Sequence, residues 1–290
     1  MKLLLLLLSC FFCLDLAAQI QLGVTTEREK YLRDEAVGCE IIIINSSGAQ
    51  LRFDNLGASV RIIIIDENKQ QLKPFKVDYN PIDGRILAAG ETRTLNLNIN
   101  EHYPLSKAGK YTLAVELSHP AFKVKFVSQE RQLDISHGTS LLKRDFGMKD
   151  PLDARKVVQR YYELMKFKPA QGADDIVCLK IADDKFVYGL HRLGAHVNGV
   201  DIGHDIDSLH SIHTLIQVKS KLFVHSVFSP SGELKQSVVY RAADKEVLSL
   251  DHSSPGKISV KGGIKLTEGV DYRRAGNDIT LTPNPTKIHD

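Results

Sequence analysis

Histidine is crowded into one part of the chain. His191, His196, His204, His210, His213, His225 and His252 are seven of the 11 in the sequence. The densest stretch is Gly203-His204-Asp205-Ile206-Asp207-Ser208-Leu209-His210-Ser211-Ile212-His213. It mixes imidazole with carboxylate, nitrogen and oxygen donors that suit zinc and related divalent metals. The candidate ligands are His204, Asp207, His210 and His213. On a helix, Asp207, His210 and His213 share one face at three-residue steps. On a strand, His210 and His213 point to opposite faces and the set disperses. Thr214 to Val218 reads as strand, which favours dispersal into a loop and strand rich in solvated histidine. These imidazoles gain charge near about pH 5 to 6, so sensitivity to acid is a related expectation.

Other chemistries lack their parts. There is no Gly-x-Ser-x-Gly elbow for an esterase and no Gly-x4-Gly-Lys-Ser/Thr phosphate loop. Gly262-Gly263 reads as a hairpin turn. Asp174-Asp175 and Asp183-Asp184 pair acids, but neighbours in a loop diverge, whereas a glycosidase needs two carboxylates facing each other across a cleft. Trp is absent and Tyr numbers nine, which weakens sugar stacking without removing it. Lys123, Lys125 and Arg131 are the nearest approach to a basic patch, and alternating Lys on a strand is a solvated face. With 38 Lys+Arg against 35 Asp+Glu, nucleic acid is not an expected partner. No catalytic residue, metal or cofactor is assigned.

The elements that carry these residues begin after an export signal. Met1-Lys2 is a minimal basic start, Leu3 to Leu14 is apolar, and Ala17-Ala18 offers small residues to a peptidase. The apolar run is shorter than the ~20 residues that span a bilayer, so cleavage after Ala18 is expected. The minor alternative is a lipoprotein anchored at Cys10, after Leu7-Leu8-Ser9. The mature protein is then periplasmic or extracellular, with no membrane span. Cys39 and Cys178 remain. Export permits their pairing, but two distant cysteines are no framework, and Cys39 reads as a small core residue. The chain is 43% hydrophobic and 25% charged, as a globular protein with a core should be.

Residues 19–136 read as β throughout. Ile41 to Ile44 and Ile62 to Ile65 are continuous β-branched runs, as expected for strands buried on both sides. Leu95, Leu97 and Ile99, then Tyr111, Leu113, Val115 and Leu117, alternate with polar or small residues. Turn signals at Asn45-Ser-Ser-Gly48, Asp83-Gly84, Ala89-Gly90 and Ala108-Gly109 separate the runs. About seven short strands at this spacing make an antiparallel β-sandwich. The segments Leu87-Ala-Ala-Gly90-Glu91-Thr92 and Tyr103-Pro-Leu105 to Gly109-Lys-Tyr111-Thr112 resemble bacterial immunoglobulin-like sandwiches, among them exported proteinase-inhibitor-like domains and the sandwich that precedes deuterolysin-type metallopeptidases. The resemblance places Tyr111 at a tyrosine corner, ring inward and hydroxyl on nearby backbone. His-Glu-x-x-His does not occur, so it implies no peptidase.

His137-Gly138-Thr139-Ser140 reads as a boundary. Asp150-Pro151 reads as a helix start, and Val157, Val158, Tyr161, Tyr162, Leu164 and Met165 as its apolar stripe through about residue 166. Strands resume at Ile176 to Ile181. The clearest hairpin is Leu222 to Phe228, Ser229-Pro-Ser-Gly232, then Leu234 to Tyr240. The expected fold class is mainly β: signal 1–18, an immunoglobulin-like sandwich at 19–136, then a helix plus an antiparallel sheet, an α+β domain, at 137–290. The expected function is an exported, non-catalytic binding or scaffold protein whose partner is a protein or surface polymer. The alternatives are an exported hydrolase with its site near His191–His225, and a proteinase inhibitor.

Overall fold

The computed structural model describes residues 19–282 apart from 55, 56, 151, 152, 154, 245, 255 and 277. The signal at 1–18, its Cys10 and the tail from 283 lie outside the described residues. The chain divides between His137 and Gly138 into two units.

Unit 1 contains β1 (Ile20–Thr26), β2 (Lys30–Leu32), β3 (Gly38–Asn45), β4 (Leu51–Arg52), β5 (Ser59–Asp66), β6 (Ile86–Leu87), β7 (Thr92–Asn98), β8 (Gly109–Ser118), β9 (Phe126–Val127) and β10 (Arg131–Ser136). β1-β3-β7 form one sheet and β2-β10-β8-β5 another, with β9 beside β8. The pairs are antiparallel except β2 with β10, which is parallel. Ile41 and Ile43 from the first sheet share one buried cluster with Ile62, Ile64, Leu113 and Val115 from the second. Burial alternates along β3 and β5, because every second side chain faces that core. The isoleucine runs are therefore half-buried strands, each with one wet face. Tyr111 buries its ring and donates its hydroxyl to Lys107 O at 2.9 Å, four residues upstream.

Unit 2 contains β11 (Thr139–Lys149), β12 (Val157–Phe167), β13 (Ile176–Ala182), β14 (Val187–Ala195), β15 (Gly203–Ile206), β16 (Ile212–Lys219), β17 (Leu222–Phe228), β18 (Leu234–Arg241), β19 (Ser249–Ser254), β20 (Lys257–Lys261), β21 (Ile264–Lys265), β22 (Tyr272–Ala275) and β23 (Asp278–Leu281). Its two main sheets run β11-β12-β13-β14 and β15-β16-β17-β18-β21, with small hairpins β19-β20 and β22-β23.

Among the described residues the expected helix at about 150–166 is absent, and with it goes the α+β reading of the second half. Among the described residues the only helical element is the 3-10 turn Ile99–Glu101. The stripe at 157–165 forms β12, paired to β11 on one side and β13 on the other. Its Val, Tyr and Phe content suits a pleated surface, and two waiting partner strands satisfy its backbone. Burial alternates at Arg160, Tyr162 and Leu164, a period of two, before Met165 is also buried. Of the residues read as a helix start, Pro151 lies outside the described residues; Asp150 N donates to Lys156 O, and Lys156 N to Asp153 O, both at 2.9 Å, a turn-type pairing. Asp caps helices and closes turns by the same local hydrogen bonding, so that signal is ambiguous. No helix among the described residues is long and apolar enough to cross a membrane.

Candidate functional site

The histidine-rich stretch straddles β15, a turn and β16, all in unit 2. The turn is built on Asp207. Its Oδ1 accepts from Leu209 N and Ser211 N, each at 2.8 Å. Asp207 O accepts from His210 N, and His210 takes a φ of 63°. These bonds hold the Asp207 carboxyl below its usual range, against the opposing effect of its partial burial.

The four candidate ligands do not converge. His204 lies on β15, its Nδ1 2.9 Å from the Tyr162 hydroxyl. His210 sits in the turn with Nε2 2.9 Å from Gly147 O. Asp207 and His213 do meet, Oδ2 to Nε2 at 3.3 Å. The further partner is His225 on β17, whose Nε2 lies 3.0 Å from His213 Nδ1. His213 pairs with Val227 across the β16–β17 hairpin, so residues 213 and 225 share one face of the sheet. No local pattern in the sequence marks this register; the pairing of β16 with β17 sets it. Among the described residues no three His, Cys, Asp or Glu side chains are grouped to hold a metal ion.

The chemistry of the chain follows from its first member. A carboxylate only accepts, so neutral His213 carries its proton on Nε2 and its lone pair on Nδ1. His225 therefore donates from Nε2. Both rings are only 5% exposed. Burial, then the neighbouring His213, push the His225 imidazole down to about 4. The unfolded chain takes this proton near pH 6.5, and the folded one only near pH 4. Stability is therefore retained above the higher value and lost as pH falls between the two. The expected loss is about 3 kcal/mol, and His225→Gln should flatten it in melting curves run across this window. A pH slope identical in both proteins would refute the assignment.

A second network flanks the first. Arg144 donates to the Tyr162 hydroxyl, and Tyr162 therefore donates onward to His204. Burial, then Arg144, lower the His204 value. Arg144 also pairs with Asp205 at 2.8 Å, and His252 Nε2 lies 2.9 Å from the other Asp205 oxygen. His204 lines a recess of about 350 Å³ with Leu142, Leu164, Lys166, His196 and Asp201. Tyr162→Phe is expected to cost ~1–2 kcal/mol, because it strands the partners of a buried hydroxyl. Urea denaturation would check this.

Remaining residues have structural partners. His191 Nε2 lies 2.6 Å from Gly232 O, and His196 Nε2 2.8 Å from Val200 O. Asp183 caps a turn, accepting from Lys185 N and Phe186 N at 2.7 Å and from the Tyr188 hydroxyl. Gly262 and Gly263 both take positive φ. Cys39 and Cys178 are buried and neither is in a disulfide; burial pushes the Cys39 thiol up to about 12.

No protein-family model matches this chain, and no curated protein matches it. Among solved structures, the crystal structure of Spo0M, the sporulation control protein from Bacillus subtilis, aligns over 69% of this chain and 80% of that one. Identity is 9% and the TM-score 0.30, a likeness that carries no argument about fold or function.

Proposed function

We propose that the chain is an exported, non-catalytic binding protein whose ligand surface lies on unit 1. The observation that supports this reading is a groove of about 880 Å³ between the outer face of β5–β8 and the loop at 72–83. The loop is pinned beforehand. Leu72 N donates to Ile64 O at 2.8 Å, Val60 N to the Asn80 side chain at 3.0 Å, and Tyr79 stacks on His102. A preformed wall spares a ligand the entropy of ordering it. Arg61 and Ile63 line the sheet side, and Pro74, Val77, Asp78 and Tyr79 the loop side. Val77 is 87% exposed, an apolar side chain held out in water beside charges. Such a mixed surface suits a protein or surface polymer.

Two measurements test the reading. The amino terminus of the mature protein is expected at Gln19; recovery of an intact Met1 chain from the producing cell removes export. Immobilised wild type and a Val77→Asp, Arg61→Glu variant are then compared on envelope extract. The expected result is one reproducible partner held by the first and lost by the second. Recovery of nothing, or the same material on both, removes the groove.

A further inference from the structure

Unit 1 leaves one strand edge open. Its two main sheets end in four edge strands, β1 and β7 in one, β2 and β5 in the other. Three of these are blocked. On β1, Val24 O accepts from Arg131 Nε at 3.2 Å. On β2, Leu32 N donates to the Glu35 carboxyl at 2.8 Å. On β5, Val60 N donates to Asn80 Oδ1 at 3.0 Å, and the Ile62 and Ile64 carbonyls accept from the Tyr103 hydroxyl and Leu72 N, both at 2.8 Å. An edge stopped in this way does not template a further strand.

β7 carries no such stop among the described residues. Its ladder with β3 runs through seven pairs without a bulge, and its sequence holds no Pro and no Lys. Two bonds at the ends of the ladder fix its parity: Ile99 N donates to Val37 O and Asn45 N to Glu91 O, each at 3.0 Å. Odd-numbered residues of β7 therefore bond to β3, and Thr92, Thr94 and Asn96 turn their N–H and C=O groups away from it. No described residue bonds those groups, and all three residues are exposed.

The open run is its own complement. Laid antiparallel on a second β7, Thr94 falls opposite Thr94 and Thr92 opposite Asn96, so every outward N–H of the run meets an outward C=O. Facing threonines hydrogen-bond across strands. On the inner side Leu95, already packed against the core of unit 1, falls opposite Arg93 of the second copy. Arg93 is the one charge on the strand, and Glu91 of its own chain balances it, accepting from Arg93 Nε at 2.9 Å. We propose that β7 is a self-association edge, on which β7 of a second copy of this chain pairs antiparallel about Thr94 and joins the two β1-β3-β7 sheets into one. The contact is a narrow one, so the dimer is weak and reversible. This inference does not depend on the groove, which lies on the other sheet.

Sedimentation velocity of the purified chain tests it. The mass is expected to double between about 1 μM and about 100 μM. Thr94→Pro removes an outward N–H that β3 does not use, a position where an edge strand admits proline. Thr94→Lys sets two ammonium groups facing each other on the two-fold axis. Both variants are expected to melt as folded proteins and to stay monomeric at the highest concentration. Thr94→Cys should close a disulfide between copies, since a bonded pair has a Cα spacing of ~5.5 Å; Asn96→Cys, also exposed, faces Thr92 and should not. A monomer at every concentration overturns the proposal. So does a dimer that persists in both the proline and the lysine variant, or one in which the two cysteine variants cross-link alike.

Discussion

Gly232→Ala is expected to destabilise unit 2 by about 4 kcal/mol, near the upper end for a single substitution. Gly232 ends the β17–β18 turn with a φ of +85°. A Cβ there would stand 2.2 Å from Tyr188 O and 2.4 Å from its carbonyl carbon. Those are backbone atoms of β14 and cannot rotate away. The strand answers with a glycine of its own, since a Cβ on Gly189 would meet Gly232 Cα at 2.8 Å. To admit a methyl group the turn must lift from β14. It then loses the His191 contact to Gly232 O and the bond that the buried Arg160 donates to Pro230 O. Arg160 has few alternatives, lying over the Tyr188 ring at 3.7 Å with its Nε unpartnered. Gly48→Ala is the control: its φ is +74° but nothing lies within 4 Å, so only the left-handed strain of ~1–2 kcal/mol applies. Urea denaturation should separate the two variants clearly. Equal midpoints would show that the close approach of the two backbones carries no energy.

Asn45→Ala is expected to cost unit 1 about 3 kcal/mol, and Asn45→Asp more. Asn45 ends β3 fully buried. Its Nδ2 donates to Ala49 O at 2.7 Å, Ala88 O at 2.9 Å and Leu87 O at 3.3 Å. Its Oδ1 accepts from Ser47 N at 3.1 Å and Ser47 Oγ at 2.6 Å. One amide thus ties the turn after β3 to the segment that leads into β7. Alanine leaves the Ala49 and Ala88 carbonyls without this donor. Aspartate sets a carboxylate against those carbonyls, with no N–H to offer, and buries a charge. Thermal melting of unit 1 checks the order. An aspartate variant as stable as the alanine one would mean that the site opens to water.

Much of this architecture was legible in the residues. Alternation along β8 and the turn signal before Leu234 mark strands by local chemistry alone, because a side-chain period of two needs no knowledge of the partner. Asn45 was legible as a turn former, but not as the buried clamp of two segments over forty residues apart in the chain. The stripe at 157–165 misled for a stated reason. Val-Val, Tyr-Tyr and Leu-Met doublets place apolar residues on both faces, so spacing alone does not separate helix from strand. The waiting edges of β11 and β13 decide it.

The histidines divide the same way. Their crowding, and the dispersal of His210 from His213 once the flank is a strand, follow from composition and period. Which imidazole meets which was decided only when β16 and β17 folded back in register and brought residue 225 beside residue 213. Sequence alone therefore marked many of the strands and the parts available for chemistry, since both rest on neighbours within a few residues, but it read β12 as a helix. The tertiary structure decided what those parts do, because a hydrogen bond between buried rings depends on pairing across strands, and no local pattern records that pairing.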